Sequence, residues 1–204
     1  MSTMSDYENF REKYTNAGRI GSILIDRFYD AVREVLQGRV SELSSILEIG
    51  VGEGFSTQRI RRMLPPKLHF EASEFRDDLA PLAQQRNPDV IVSQESIYAL
   101  KRETCSFDLI LCLEVLEHLE DPVAAMEELA RVSRKYVIVS VPREPIWRML
   151  NLMRGKYIGS LGNTPGHIQH WSARAFQKFS GTLFEVLDMR TPLPWTVLLL
   201  QKKT

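Results

Sequence analysis

The stretch Ser45-Ile46-Leu47-Glu48-Ile49-Gly50-Val51-Gly52-Glu53-Gly54-Phe55 constrains this chain more than any other. A short apolar run of strand character gives way to three glycines, each separated by one residue. A polar, helix-compatible segment from Ser56 to Met63 follows. The pattern describes a buried strand turning sharply into a helix, with glycines that tolerate positive φ and let a ligand lie against the main chain. An acid, Glu48, sits at the strand's end just ahead of the turn. A dinucleotide fingerprint would space its glycines G-x-G-x-x-G and set a pyrophosphate on the helix N-terminus. Here the spacing is shorter, and Glu48 and Glu53 make the loop acidic. A cationic ligand suits such a loop better than a pyrophosphate, which disfavours a nicotinamide site.

Around this turn the chain alternates strand-like and helix-like segments. Apolar residues from Ile20 to Leu36 recur at helical spacing, with Gln37-Gly38 as a stop. Tyr7, Phe10 and Tyr14 mark a preceding short helix or arm, so residues 1–40 are expected to form an N-terminal helical cap. That cap either covers one face of a sheet or acts as a lid. Further strands are expected at Leu68–Ala72, Val90–Val92, Phe107–Leu113 and Tyr136–Val141, with helices ending before Pro65 and spanning Asp77–Gln85 and Pro122–Val132. Phe107–Leu113 is the longest continuous apolar run, as expected of a central strand buried on both faces. The alternation predicts an α/β fold with a parallel sheet between two helical layers, in a single domain over residues 1–204.

After Pro142 the alternation breaks. Ile146–Met153 reads as a helix, Gly155–Gly166 has no clear period, and Ser172 is placed to cap a helix running to Phe179. Leu183–Met189 and Trp195–Leu200 read as two closing strands, near enough in sequence to pair antiparallel. Residues 142–172 therefore form an insertion of the kind that carries specificity.

Composition narrows the classes of partner. Acids and bases balance at 26 each, which gives no global basic footprint for nucleic acid. No apolar run approaches a bilayer span, and the first residues lack the apolar core of a signal peptide. The two cysteines, Cys105 and Cys112, have neither metal-like nor redox spacing. Cytoplasmic residence with both thiols reduced is the expected default.

Leu47-Glu48-Ile49-Gly50-Val51-Gly52-Glu53-Gly54 resembles the first motif of class I S-adenosylmethionine-dependent methyltransferases of the methyltransferase type 11-like group. The resemblance runs on through Glu74, Phe107-Asp108, Glu114-Val115-Leu116-Glu117-His118-Leu119-Glu120-Asp121-Pro122 and the fifth strand, covering Ser45 to Pro142. It implies a three-layer Rossmann-like fold, a seven-stranded, mostly parallel sheet with an antiparallel last strand. It also implies S-adenosylmethionine as cofactor and S-adenosylhomocysteine as product. Glu48 would then favour the cationic methionine end, and Gly50, Gly52 and Gly54 would let backbone amides approach the sugar and amino-acid portions. Glu74 would accept from both ribose hydroxyls, since a carboxylate offers two acceptor oxygens. Phe75 would pack on the adenine. The family's usual acid at the adenine amino group falls here at Ser96, a weaker acceptor, beside the Ile97 amide; Glu95 either compensates or lies at the surface. Cys112 and Leu113 would line the methionine side.

The strand order puts Glu114-x-x-Glu117-His118 beside the transferable methyl, where a helical turn would make these residues face one way. Three readings stay open. The cluster is a pocket wall, or His118 acts as general base, with His170 from the insertion as a second catalytic residue. Alternatively Glu114, Glu117 and His118 hold a divalent metal with a later histidine, His167 or His170. A similar cluster with a later histidine occurs in some small-RNA 2′-O-methyltransferases and ubiquinone-pathway O-methyltransferases. Arg143, after the fifth strand, could recognise an acidic acceptor. The expectation is methyl transfer to a small molecule through an oxygen or nitrogen nucleophile, with no membrane partner and nucleic acid disfavoured by charge. The rivals are a protein that binds the cofactor without turnover and an RNA methyltransferase.

Overall fold

The computed structural model describes residues 18–203. The arm expected around Tyr7, Phe10 and Tyr14 lies outside them. Helix α1 (Arg19–Leu36) buries Ile25, Phe28, Tyr29, Val32, Val35 and Leu36, a stripe at helical spacing. Strand β1 (Ser45–Ile49) follows, then α2 (Phe55–Met63), β2 (His69–Glu74), α3 (Ala80–Arg86) and β3 (Ile91–Gln94). The second half runs β4 (Phe107–Leu113), α4 (Pro122–Val132), β5 (Ser133–Pro142), α5 (Ile146–Met153), α6 (Ala173–Ser180), β6 (Phe184–Arg190) and β7 (Trp195–Lys202).

The strands form one sheet in the order β3-β2-β1-β4-β5-β7-β6. β1 pairs in parallel with β2 and with β4, and β7 is antiparallel to both β5 and β6. All seven residues of β4 are buried, which explains its unbroken apolar sequence. Its side chains alternate between two cores. Leu109 and Leu111 join Phe28, Val32 and Ile60 on one face. Ile110 and Cys112 join Met126, Leu129 and Phe176 on the other. Each such side chain contributes about 1.5–3 kcal/mol on burial.

Asp108 of β4 is also buried, but at the opposite end of the sheet from the glycine turn. It accepts from Ser44 N at 2.8 Å and from Arg134 Nη1 at 2.9 Å, pinning the strand starts together. From β1 the chain builds β2 and β3 on one side, then crosses to β4 and β5 on the other. That reversal is the topological switch point, and α/β sheets bind ligands at the carboxyl ends of the strands beside it. Two boundaries differ from expectation in a way that bears on the site. β2 runs on past Ala72 to Glu74, so this acid is the last residue of the strand. α3 begins at Ala80, later than Asp77, because Asp78 pairs with Arg76 in the preceding turn.

Candidate functional site

The turn after β1 has a left-handed backbone at Gly50 (φ 72°), Gly52 (φ 56°) and Gly54 (φ 80°). Side chains have no room at two of these positions. A Cβ on Gly50 would lie 2.5 Å from Val115 Cγ2, and one on Gly54 would lie 2.4 Å from Asn87 Nδ2 and 3.0 Å from the Ala83 backbone. The turn is clamped from outside by residues whose role is not visible in its own sequence. Asn87 Nδ2 donates to the Gly54 carbonyl at 3.0 Å. Arg86 donates to the Glu53 carbonyl, and its guanidinium stacks over the Phe55 ring at 3.6 Å. Asn87-Pro88 could be read from sequence only as a helix stop.

Two acids flank the turn. Glu74 is buried, its Oε2 accepting from Gly52 N at 2.7 Å and its Oε1 from Arg76 N at 3.0 Å. Each carboxylate oxygen retains acceptor capacity beyond one such bond, so the locked carboxylate can still accept from a vicinal diol. Glu48 is buried at 2 % exposure, and its Oε2 has no hydrogen-bond partner among the described residues. Burial pushes its carboxyl up to about 7, against the opposing pull of the Ser56 and Thr57 hydroxyls from the first turn of α2. Thr57 Oγ1 itself lies outside regular hydrogen-bonding geometry. A buried carboxylate oxygen without a partner at the switch point fits a cationic ligand, which would supply one.

The other positions expected to border a cofactor follow the carboxyl ends of β2, β3 and β4. Phe75 follows Glu74 and is 69 % exposed. Ser96 Oγ accepts from Tyr98 N at 3.2 Å, and Ile97 is buried. Glu95 turns away, accepting from Lys101 N at 2.8 Å and pairing with Arg102 at 3.1 Å, so it braces the loop after β3. Cys112 and Leu113 end β4; burial, with the Glu117 charge, raises the Cys112 thiol far above its ordinary range, so it acts as an inert packing group.

The cluster after β4 divides. Glu114 has a left-handed backbone (φ 59°) and precedes the 3-10 turn Leu116–His118, so it does not share that turn's face. Its Oε1 accepts from Ser140 Oγ at 2.9 Å and its Oε2 from Trp195 Nε1 at 2.6 Å. These bonds tie it to β5 and β7 and away from its sequence neighbours. Glu117, His118 and His167 do come together, with ligand atoms all within 4.8 Å of one another. His118 Nδ1 lies 3.0 Å from the Gly166 carbonyl. A carbonyl only accepts, so in the neutral ring Nδ1 carries the proton and Nε2 keeps its lone pair. The His167 ring meets His118 edge-on and stacks on Trp147. His170 lies instead beside Arg148 (3.0 Å) and Glu144 (3.9 Å). Burial, helped by Arg148, lowers its basicity. Arg143 continues from β5 with its Nε buried and unpaired among the described residues.

Residues 47–140 match the family described as a methyltransferase domain. The matched stretch runs from β1 through the switch-point turn to β5 of the sheet. Among similar proteins is the ubiquinone biosynthesis O-methyltransferase of Paracidovorax citrulli, 29 % identical over 100 residues that cover 48 % of this chain and 40 % of that protein. The enzyme of the same description from Xanthomonas oryzae pv. oryzae is 27 % identical over 124 residues, covering 57 % and 51 %. The chain thus spans about half the length of the curated relatives it matches. The magnesium protoporphyrin IX methyltransferase of Synechocystis PCC 6803, solved with bound SAH, shares the fold with a TM-score of 0.71 at 17 % identity, covering 98 % of this chain and 95 % of that one.

Proposed function

We propose that this protein transfers the methyl group of S-adenosylmethionine to a small molecule bearing an oxygen or nitrogen nucleophile. The observation that carries the reading is the pair of buried acids at the switch point, one with a carboxylate oxygen left without a partner and one held by a glycine amide. S-adenosylmethionine would supply an activated methyl on a sulfonium, so the protein's contribution is placement and exclusion of water. Glu48, Gly50, Gly52 and Gly54 hold the methionine end, and Glu74 takes the ribose diol. Phe75, Ser96 and Ile97 border the adenine, and Cys112 and Leu113 form the wall between. In this reading α1, the described part of the expected cap, covers one face of the sheet, and residues 142–172 form the acceptor side.

On the acceptor side, His118 Nε2 is the atom that takes a proton from a hydroxyl or amine nucleophile. Its tautomer, fixed by the Gly166 carbonyl, supports that role. His170, less basic and paired with Arg148, stands as a secondary catalytic residue. The unpaired Arg143 ε-nitrogen favours an acidic acceptor. The convergence of Glu117, His118 and His167 supports a second reading, in which these three residues hold a divalent cation that orients the acceptor without Glu114. The balanced charge favours a small acceptor over RNA, and two unbridged cysteines suit the cytoplasm.

Methyl transfer to a panel of phenols and amines, with and without a carboxylate, tests the proposal. His118→Ala should lower turnover about 10²–10⁴-fold while leaving S-adenosylhomocysteine affinity unchanged. A chelator that leaves turnover intact selects the base over the cation. No methyl transfer to any acceptor, with the cofactor bound, would support a binding protein without turnover.

A further inference from the structure

A base must be held still, yet the backbone that carries His118 is a single 3-10 turn, Leu116–His118, in the linker between β4 and α4. Local support comes from His118 N donating to the Val115 carbonyl at 3.0 Å and Leu119 N donating to the Leu116 carbonyl at 3.3 Å. Such a turn has poor hydrogen-bond geometry. The insertion adds a firmer hold. Ile168 N and Gln169 N both donate to the Glu117 carbonyl at 3.0 Å, and Gln169 Nε2 donates to the Leu119 carbonyl at 3.0 Å. Gln169 thus bonds the residues on either side of His118, while the Gly166 carbonyl meets the ring itself. The segment that makes these bonds is fastened in turn. Thr164-Pro165-Gly166-His167 is closed by His167 N donating to the Thr164 carbonyl at 3.1 Å. Proline stands second and a left-handed glycine (φ 82°) third, as a type II turn requires. Trp147 Nε1 of α5 donates to Thr164 Oγ1 at 2.9 Å, and Asn163 Nδ2 donates to the His167 carbonyl at 3.2 Å.

The hold matters because the proton of a neutral His118 ring has two places to go. Nδ1 faces the Gly166 carbonyl at 3.0 Å, whereas Nε2 lies 4.0 Å from the buried Glu117 carboxylate. A carboxylate that near favours a proton on Nε2, and an Nε2 that carries one has no lone pair left for the proton of a nucleophile. Keeping the ring on the Gly166 carbonyl is therefore the condition for the base. A misplacement of about 1 Å is enough to cost roughly 10²-fold in rate. We propose that Gln169 is the positioning residue for His118, its main-chain and side-chain amides holding the turn so that the ring stays on Gly166. This role rests on the reading of His118 as the base. Of the bonds that Ile168 and Gln169 make to the turn, the one to Leu119 comes from a side chain and can be removed by substitution.

Nitrogen NMR of the full chain, labelled at histidine and kept in a strong chelator so that no cation holds the rings, tests this without an acceptor. His118→Ala identifies the His118 signals by their loss. The neutral wild-type ring should show one tautomer, protonated at Nδ1. Gln169→Met keeps the length of the side chain and removes its donor, so at least about half of the population should move to the Nε2-protonated form. Its unfolding temperature should fall by no more than about 4 °C. On a phenol or amine that the wild type methylates, kcat should fall about tenfold or more with KM and S-adenosylhomocysteine affinity unchanged. In a His118→Ala chain the same substitution should cost nothing further. A single Nδ1-protonated tautomer in Gln169→Met, or an equal loss of kcat with and without His118, would overturn the proposal. A larger fall in unfolding temperature would make Gln169 a brace of the fold and overturn it as well. Wild-type turnover in His118→Ala would remove the base, and this role with it, whereas the other failures leave the base reading standing.

Discussion

The cofactor edge and the insertion are built on opposite principles. Along the ends of β1, β2 and β4 the apolar side chains point inward, and the polar groups left at the edge are acids awaiting a cation or a diol. In the insertion the polar Asn151 points inward while Met149, Leu152 and Met153 of the same helix point outward. The first arrangement makes a small-molecule site from main-chain turns. The second makes a rigid outer surface and spends its buried hydrogen bonds on holding that surface still. If the two regions are separate devices, damage to one should leave the other's readout intact.

The largest effect should follow Gly54→Val. The left-handed backbone and the 3.0 Å approach of the Ala83 backbone leave the new side chain no place. A loss of about 2–5 kcal/mol in denaturant unfolding is expected, with S-adenosylhomocysteine binding abolished. A Gly54→Val protein that binds normally would mean the turn lies outside the site. Asn151→Ala should come next, costing about 1–3 kcal/mol because the Gly162 carbonyl loses the Asn151 amide, while Thr164 Oγ1 keeps the Trp147 indole as donor. Its S-adenosylhomocysteine affinity should stay within about twofold of wild type; a larger loss would join the two regions into one cooperative unit.

A smaller effect concerns pH. Glu48 has its carboxyl raised from 4.5 to about 7 in the ligand-free fold, so the folded state holds the proton more tightly than the unfolded chain. The stability this lends is full below the unfolded value of 4.5 and is lost as pH rises through about 7, a change of roughly 3 kcal/mol. A cationic ligand needs the ionised form. Affinity for S-adenosylmethionine should therefore rise about tenfold between about pH 6 and 8, and Glu48→Gln should flatten the slope. A wild-type slope that persists in Glu48→Gln would assign the proton elsewhere.

What the sequence discloses follows from the range of the interactions involved. β1, β4, α1 and α4 are set by local periodicity and fall where the apolar pattern places them. The glycine turn is legible for the same reason, since its backbone conformations belong to the residues that compose it. Glu114 is not legible. Its spacing from Glu117 suggests a shared face, but its carboxylate is claimed by Ser140, 26 positions on, and Trp195, 81 positions on. The clamp by Arg86 and Asn87 lies 33 positions from the turn it holds. In α5 the composition discloses a helix, while its facing depends on Gly162 and Thr164, which only the folded loop brings near.

The central claim is that the acid-flanked turn binds S-adenosylmethionine or its product and not a nicotinamide dinucleotide. Calorimetric titration of the wild type and of Glu74→Ala with S-adenosylhomocysteine, and of the wild type with NAD, tests it most directly. Saturable binding of S-adenosylhomocysteine is predicted, weakened at least about tenfold in Glu74→Ala through loss of charge-assisted hydrogen bonds, with no heat from NAD. Binding of NAD in place of S-adenosylhomocysteine, or binding indifferent to Glu74, would contradict it.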